Sequence, residues 1–212
     1  LGVTAGITPF NFPAMVPLWM WPMAIACGKT FILKPSELAA NCAQCMADIV
    51  AAYFSPKLFT VVQGGIAETS ALLETRFDKI FFTGSPAVGR IVYQAAAKHL
   101  TPVTLELGGK SPAILTPSAN LPVAIKRLVW AKFLNAGQTC IAPDYVFVHE
   151  SIYRECLNLF QQEIEKNQYA LANKNYVQII NERNLARLEN LLDKDKIAFG
   201  GAINHTDRTI SP

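Results

Sequence analysis

Cys140 closes the run Asn135-Ala136-Gly137-Gln138-Thr139-Cys140, 34 residues after Glu106 in Leu105-Glu106-Leu107-Gly108-Gly109-Lys110. A thiol and a carboxylate, each in a glycine-punctuated turn, are what covalent catalysis followed by hydrolysis requires: one group to attack, another to activate water. Cys140 needs a depressed pKa or a neighbouring base, because the thiolate is the reactive form. Taken alone, a loop cysteine is more often structural. Glu106, between two leucines, is expected to be partly desolvated and to hold a proton more tightly, as suits a general base. The three histidines, His99, His149 and His205, lie in helix-end or loop contexts and give a Cys–His protease pair little support. Asn11, in Thr8-Pro9-Phe10-Asn11-Phe12-Pro13, reads as a turn residue or as an amide donor to a developing oxyanion.

Two segments could hold a phosphorylated ligand. Phe82-Thr83-Gly84-Ser85-Pro86-Ala87-Val88-Gly89 follows a strand and opens a helix, with Ser85 as N-cap and Pro86 in the first turn. The turn offers amide donors and a favourable dipole to phosphate, and Gly84 admits a close ligand. Arg90-Ile91 stands where a P-loop needs Lys and Ser/Thr, which argues against triphosphate hydrolysis, and the middle glycine of the usual dinucleotide fingerprint is missing. A well-capped helix start is an equal alternative. Lys34-Pro35-Ser36-Glu37 ends another strand, where open sheets bind ligands. Lys34 and Glu37 there could bond ribose hydroxyls, with Glu37 disfavouring a 2′-phosphate; a surface ion pair is the plainer alternative.

The elements that position these residues alternate. Strands are expected at 30–34, 59–62, 79–82 and 103–105, with a helix over 36–53, which predicts a parallel sheet covered on both faces. After Gly108-Gly109 the rhythm restarts, with strands at 113–115 and 145–148 and helices over 122–134, 152–166 and 181–192. A domain boundary is placed there, giving 1–108 as a partial dinucleotide-binding domain and 109–212 as a partial, thiol-bearing catalytic domain.

With 212 residues, 51% hydrophobic and 17% charged, the chain reads as globular with a substantial core. A net charge of +3 without a basic stripe argues against nucleic-acid binding. Five cysteines, odd in number, read as reduced thiols of a cytoplasmic protein, with Cys42 and Cys45 expected to be buried small residues rather than a redox pair. The most apolar run, 12–28, is interrupted by Pro13, Pro17 and Pro22 and is too short for a membrane span. The open strand at Leu1 and the uncapped end at Pro212 suggest a piece of a longer polypeptide.

Asn11-Phe12-Pro13, Lys34-Pro35-Ser36-Glu37, Phe82-Thr83-Gly84-Ser85, Leu105-Glu106-Leu107-Gly108-Gly109-Lys110-Ser111-Pro112 and Gly137-Gln138-Thr139-Cys140 together resemble the aldehyde dehydrogenase superfamily in order and spacing. From Ser36 onward the chain is most similar to class 3 fatty and aromatic aldehyde dehydrogenases, whereas Ile7–Met20 resembles the methylmalonate-semialdehyde, CoA-acylating branch. That branch lacks the carboxylate matching Glu106. The resemblance implies a Rossmann-type α/β domain, a small-molecule aldehyde substrate, NAD with NADP as an accepted substitute, and a homodimeric parent. It implies that Cys140 attacks the aldehyde, that the Asn11 amide and the Cys140 N–H hold the oxyanion, and that Glu106 activates water. Coenzyme contacts are implied at Thr8, Pro9, Phe10, Lys34, Ser36, Glu37, Gly64, Thr83, Gly84, Ser85, Val88, Gly89, Leu107 and Gly108. Two alternatives stay open: a CoA-acylating semialdehyde dehydrogenase, and a catalytically inactive truncated form. The family's upstream sheet region and downstream nicotinamide-ribose motif are not in this sequence, so the 212-residue piece alone is expected to turn over little.

Overall fold

The structure, a computed structural model, describes residues 2–212. The chain divides into two compact units, Leu1–Gly108 and Gly109–Pro212.

In the first unit, five strands form one parallel sheet: β1 (Val3–Ile7), β2 (Thr30–Lys34), β3 (Phe59–Val61), β4 (Lys79–Gly84) and β5 (Val103–Leu107), in the order β3-β2-β1-β4-β5. The crossovers carry α1 (Met15–Leu18), α2 (Trp21–Ala26), α3 (Ala40–Tyr53), α4 (Ile66–Leu73) and α5 (Pro86–Ala97). Alternation along each strand sends side chains to opposite faces. Ala5, Ile7, Ile80 and Phe82 pack against Leu73 of α4 and Val92, Ala95 and Ala96 of α5. On the other face, Phe31, Leu33 and Phe59 meet Val16, Met20 and Ala24 of α1 and its neighbours, and Val50 of α3. Burial of side chains such as Leu33 and Val92 stabilises the layers by about 1.5–3 kcal/mol each.

The strands lie where the β-branched and aromatic runs predict. The helices α1 and α2 are not anticipated, because three prolines read as breakers. Pro22 sits in the first turn of α2, where an N–H would have no helical partner anyway. The helix expected from Ser36 begins as a 3-10 turn, Glu37–Ala39, with the Ser36 hydroxyl accepting the Leu38 N–H at 3.3 Å. Cys42 and Cys45 correct the expectation of burial: both are exposed. The buried stripe of α3 runs through Ala43 and Val50, and at about 100° per residue both thiols point away from it.

In the second unit, β6 (Ala113–Leu115) and β7 (Val146–Val148) pair in parallel across α6 (Leu121–Phe133), with α7 (Tyr153–Asn167) following. Leu115, Leu121, Ile125, Val129 and the buried Cys156 make its core. Asn120 caps α6 and Asn181 caps α8 (Glu182–Glu189), and a short hairpin, β8 (Ile203–Asn204) with β9 (Thr209–Ile210), ends the unit. Among the described residues, no helix is long and apolar enough to cross a membrane.

Candidate active site

The strand order makes the chain run outward from β1 through β2 to β3, then return beside β1 as β4. The crevice outside the carboxyl ends of β1 and β4 is therefore a topological switch point, the place where open α/β sheets bind ligands. Thr8 and Thr83 stand there. Ile7 pairs with Phe82, so Thr8 and Thr83 are the next positions in register. Both are buried, at 4% and 6% exposure, and neither hydroxyl has a partner. Buried hydroxyls without bonds are costly, which points to a polar ligand as their complement.

One strand over, Lys34 is 2% exposed and its Nζ donates to the Pro35 carbonyl at 2.7 Å. Burial pulls its pKa below the ordinary lysine value, while the charges of Glu37 and Glu68 oppose that pull. Glu37 is exposed beside it on the 3-10 turn. Glu68 is a residue that sequence reading does not single out. Its carboxylate accepts the Gly65 N–H at 2.7 Å, and main-chain N–H groups hold its pKa down. The signal for it is the capping-box spacing Gly65-x-x-Glu68. Gly64 just before it has φ +125°, and a Cβ there would overlap the Glu68 side chain.

The start of α5 is built as its sequence predicts, with Ser85 Oγ accepting the Val88 N–H at 3.3 Å. Pro86 has no N–H and Val88 spends its own on the cap, so fewer amides remain for a phosphate than an uncapped turn would offer. The two glycines have packing reasons as well: a Cβ on Gly84 would lie 2.6 Å from the Phe82 ring and one on Gly89 3.0 Å from Leu107 Cδ2. Thr8 is tied to β2 through its N–H to the Lys34 carbonyl at 3.1 Å. Pro9, Phe10 and Asn11, in the turn after β1, are half-buried.

Glu106 departs from expectation. It lies on the edge strand β5, whose Thr104 and Glu106 face is open, and its side chain is exposed rather than desolvated. Leu107 is half-buried, and a Cβ on Gly108 would meet only open space.

In the second unit, Cys140 is half-exposed in a turn after α6. Asn135, Ala136 and Gly137 are three consecutive residues with φ of 55°, 54° and 76°. The Cys140 carbonyl accepts the Gly109 N–H at 3.3 Å, which links the turn to the start of the unit. Lys110 and Asp144 form an exposed 2.8 Å ion pair nearby in sequence, each holding the other's charged form.

A doubly wound parallel sheet with unmatched polar groups at its switch point defines an α/β protein of the Rossmann-like kind. The model of the aldehyde dehydrogenase family matches residues 1–205, and the chain belongs to that family. Aldehyde dehydrogenase family 3 member A2 of Mus musculus is 44% identical, over 100% of this chain and 44% of its own length. The dimeric, NADP-preferring aldehyde dehydrogenase of Rattus norvegicus is 42% identical, over 100% of this chain and 47% of its own. The solved substrate-bound AldH of Staphylococcus aureus superposes with a TM-score of 0.92 at 42% identity, covering 99% of this chain and 47% of that one. The chain spans about half the length of the curated relatives it matches.

Proposed function

We propose that the protein carrying this chain oxidises an aldehyde to a carboxylic acid with NAD(P)+ through a thioester on Cys140. The observation that carries this reading is the family match over residues 1–205, within which Cys140, Glu106 and Asn11 all stand. The first unit's polar groups fit a dinucleotide. Lys34, with N–H bonds to spare, and the adjacent Glu37 carboxylate suit ribose hydroxyls, which favours NAD. Thr8 and Thr83 offer two unmatched hydroxyls, and the α5 start with Gly84 and Ser85 suits the diphosphate. When bound, the nicotinamide supplies a hydride acceptor.

The chain's residues do the rest. The Cys140 thiolate forms a C–S bond to the aldehyde carbon, and the carbonyl electrons move to oxygen. The Asn11 amide and the Cys140 N–H donate to that oxyanion. Its collapse expels hydride and leaves a thioester. Glu106 then takes a proton from water, the hydroxide displaces sulfur, and the acid and the thiolate are released. A CoA-acylating reaction is the second reading, favoured by the 7–20 segment, and the Glu106 carboxylate weighs against it. A reducing, cytoplasmic compartment suits the five free cysteines, and a dimer is proposed by likeness to the dimeric relative of Rattus norvegicus.

The test is product analysis on the full-length protein. Aldehyde and NAD+ should yield acid without coenzyme A, Cys140→Ser should lower NADH formation by about 10³-fold or more, and Glu106→Gln should accumulate an acyl-Cys140 adduct visible by mass spectrometry. Acyl-CoA as the sole product would establish the second reading. Unchanged turnover of Cys140→Ser would end both.

A further inference from the structure

Two residues before Cys140, the Gln138 carboxamide works as a bridge. Its Oε1 accepts the Ile180 N–H at 2.9 Å, and its Nε2 donates to the Gln178 carbonyl at 3.0 Å and the Asn135 carbonyl at 3.1 Å. A donor and an acceptor on one planar group thus engage alternate main-chain groups of the 178–180 segment, as a neighbouring strand would. The far side of that segment is gripped as well. The Ile179 N–H donates to the Arg208 carbonyl at 2.8 Å, and Arg208 returns bonds to the Ile179 carbonyl at 3.3 Å and Gln178 Oε1 at 3.2 Å. Ile179 itself is 3% exposed. Gln138 therefore anchors to a fixed piece of the unit.

The turn it holds has reason to move. Ala136 holds its side chain in the left-handed region at a cost of about 1–2 kcal/mol, between Asn135, a residue type that tolerates that region, and Gly137, which continues the same hand. Such a run persists only where its surroundings over-determine it. The short bonds of Gln138 contribute to that, beside two long ones at 3.5 Å, from the Asn135 Nδ2 to the Gln138 carbonyl and from the Thr139 hydroxyl to the Leu134 carbonyl.

We propose that Gln138 is a positioning residue: its carboxamide clamps the turn to 178–180 and so sets the Cys140 sulfur for attack on the aldehyde carbonyl. The proposal rests on the reading of Cys140 as nucleophile. Glutamine is the side chain that spans this gap with both a donor and an acceptor. Glutamate would turn an acceptor toward the Gln178 carbonyl, and methionine would fill the same volume with no bonds.

The experiment uses the full-length protein with Gln138→Met, Gln138→Glu, Thr139→Val and Cys140→Ser. Stopped-flow measurement of the first turnover reads a rate constant that does not depend on how many molecules are folded. Gln138→Met should lower it about tenfold to a hundredfold, while NADH binding, followed by fluorescence, is unchanged and Thr139→Val stays near the parent rate. In Gln138→Glu the rate relative to Gln138→Met should rise as pH falls, because the protonated carboxyl regains a donor. A Gln138→Met protein with the parent rate constant, or one that loses only amplitude and melting temperature, would overturn the positioning role. If Cys140→Ser keeps activity, the thiol reading itself falls; if it is dead while Gln138→Met runs at full rate, only the clamp falls.

Discussion

A buried ammonium costs more than its surroundings return unless something else uses it, and Lys34 is such a group. Burial lowers its pKa, so the folded chain releases this proton at lower pH than the unfolded chain does. Between that lowered value and the ordinary value near ~10.4, the unfolded state binds more protons, and stability rises with pH. Lys34→Met should remove that rise and leave the melting temperature at neutral pH equal or higher. It should also weaken coenzyme binding about tenfold, the worth of one charge-assisted hydrogen bond. A Kd unmoved by the substitution would take Lys34 out of the coenzyme site. At this scale the sequence is legible where chemistry and position coincide: Ser85 caps α5 as its place at a helix start predicts, whereas Lys34 is buried and not the surface group of the plainer reading. Glu106 and the Cys42/Cys45 pair are misread for the same reason. Apolar sequence neighbours suggest burial, but exposure follows from strand edge and helix face, which local composition does not contain.

Among the elements, α5 shows how closely packing is tuned. Gly89 lets the helix approach β5, where an added Cβ would lie 3.0 Å from Leu107 Cδ2. Gly89→Ala gains about 1 kcal/mol of helix propensity and meets only the end of a flexible side chain, so its effect should be small. Gly89→Val adds two methyls to the same gap and should cost about 1–3 kcal/mol, read as a lower urea midpoint with an unchanged slope. Equal midpoints for Gly89→Val and parent would show that α5 does not need the close approach. The strands were readable from their runs of Ile, Val, Phe and Thr, and the parallel sheet from their alternation with helices, but the strand order that makes the switch point was not. The short α1 and α2 were not readable, because proline marks a break in sequence although the first turn of a helix tolerates it. The bonds of Gln138 to a segment 40 residues away have no local signal.

On the scale of the whole molecule, the two units carry separate cores. β1, β2 and β4 have partners on both sides, whereas β6 and β7 have one each. Hydrogen exchange should therefore resolve two classes, with the slowest amides in β1, β2 and β4 and faster exchange in β6 and β7. Uniform protection across both sheets would mean that the units open together. The central place of β1 carries a further consequence, for biosynthesis. Thr4 of β1 lies opposite Lys79 of β4, a partner 75 residues later in the chain. At ribosomal speeds of about 5–20 residues per second, β1 waits roughly 4–15 s on the nascent polypeptide with one flank unzipped. That interval makes β1 the strand of this sheet most in need of chaperone cover, and the one where slowed translation would do most harm.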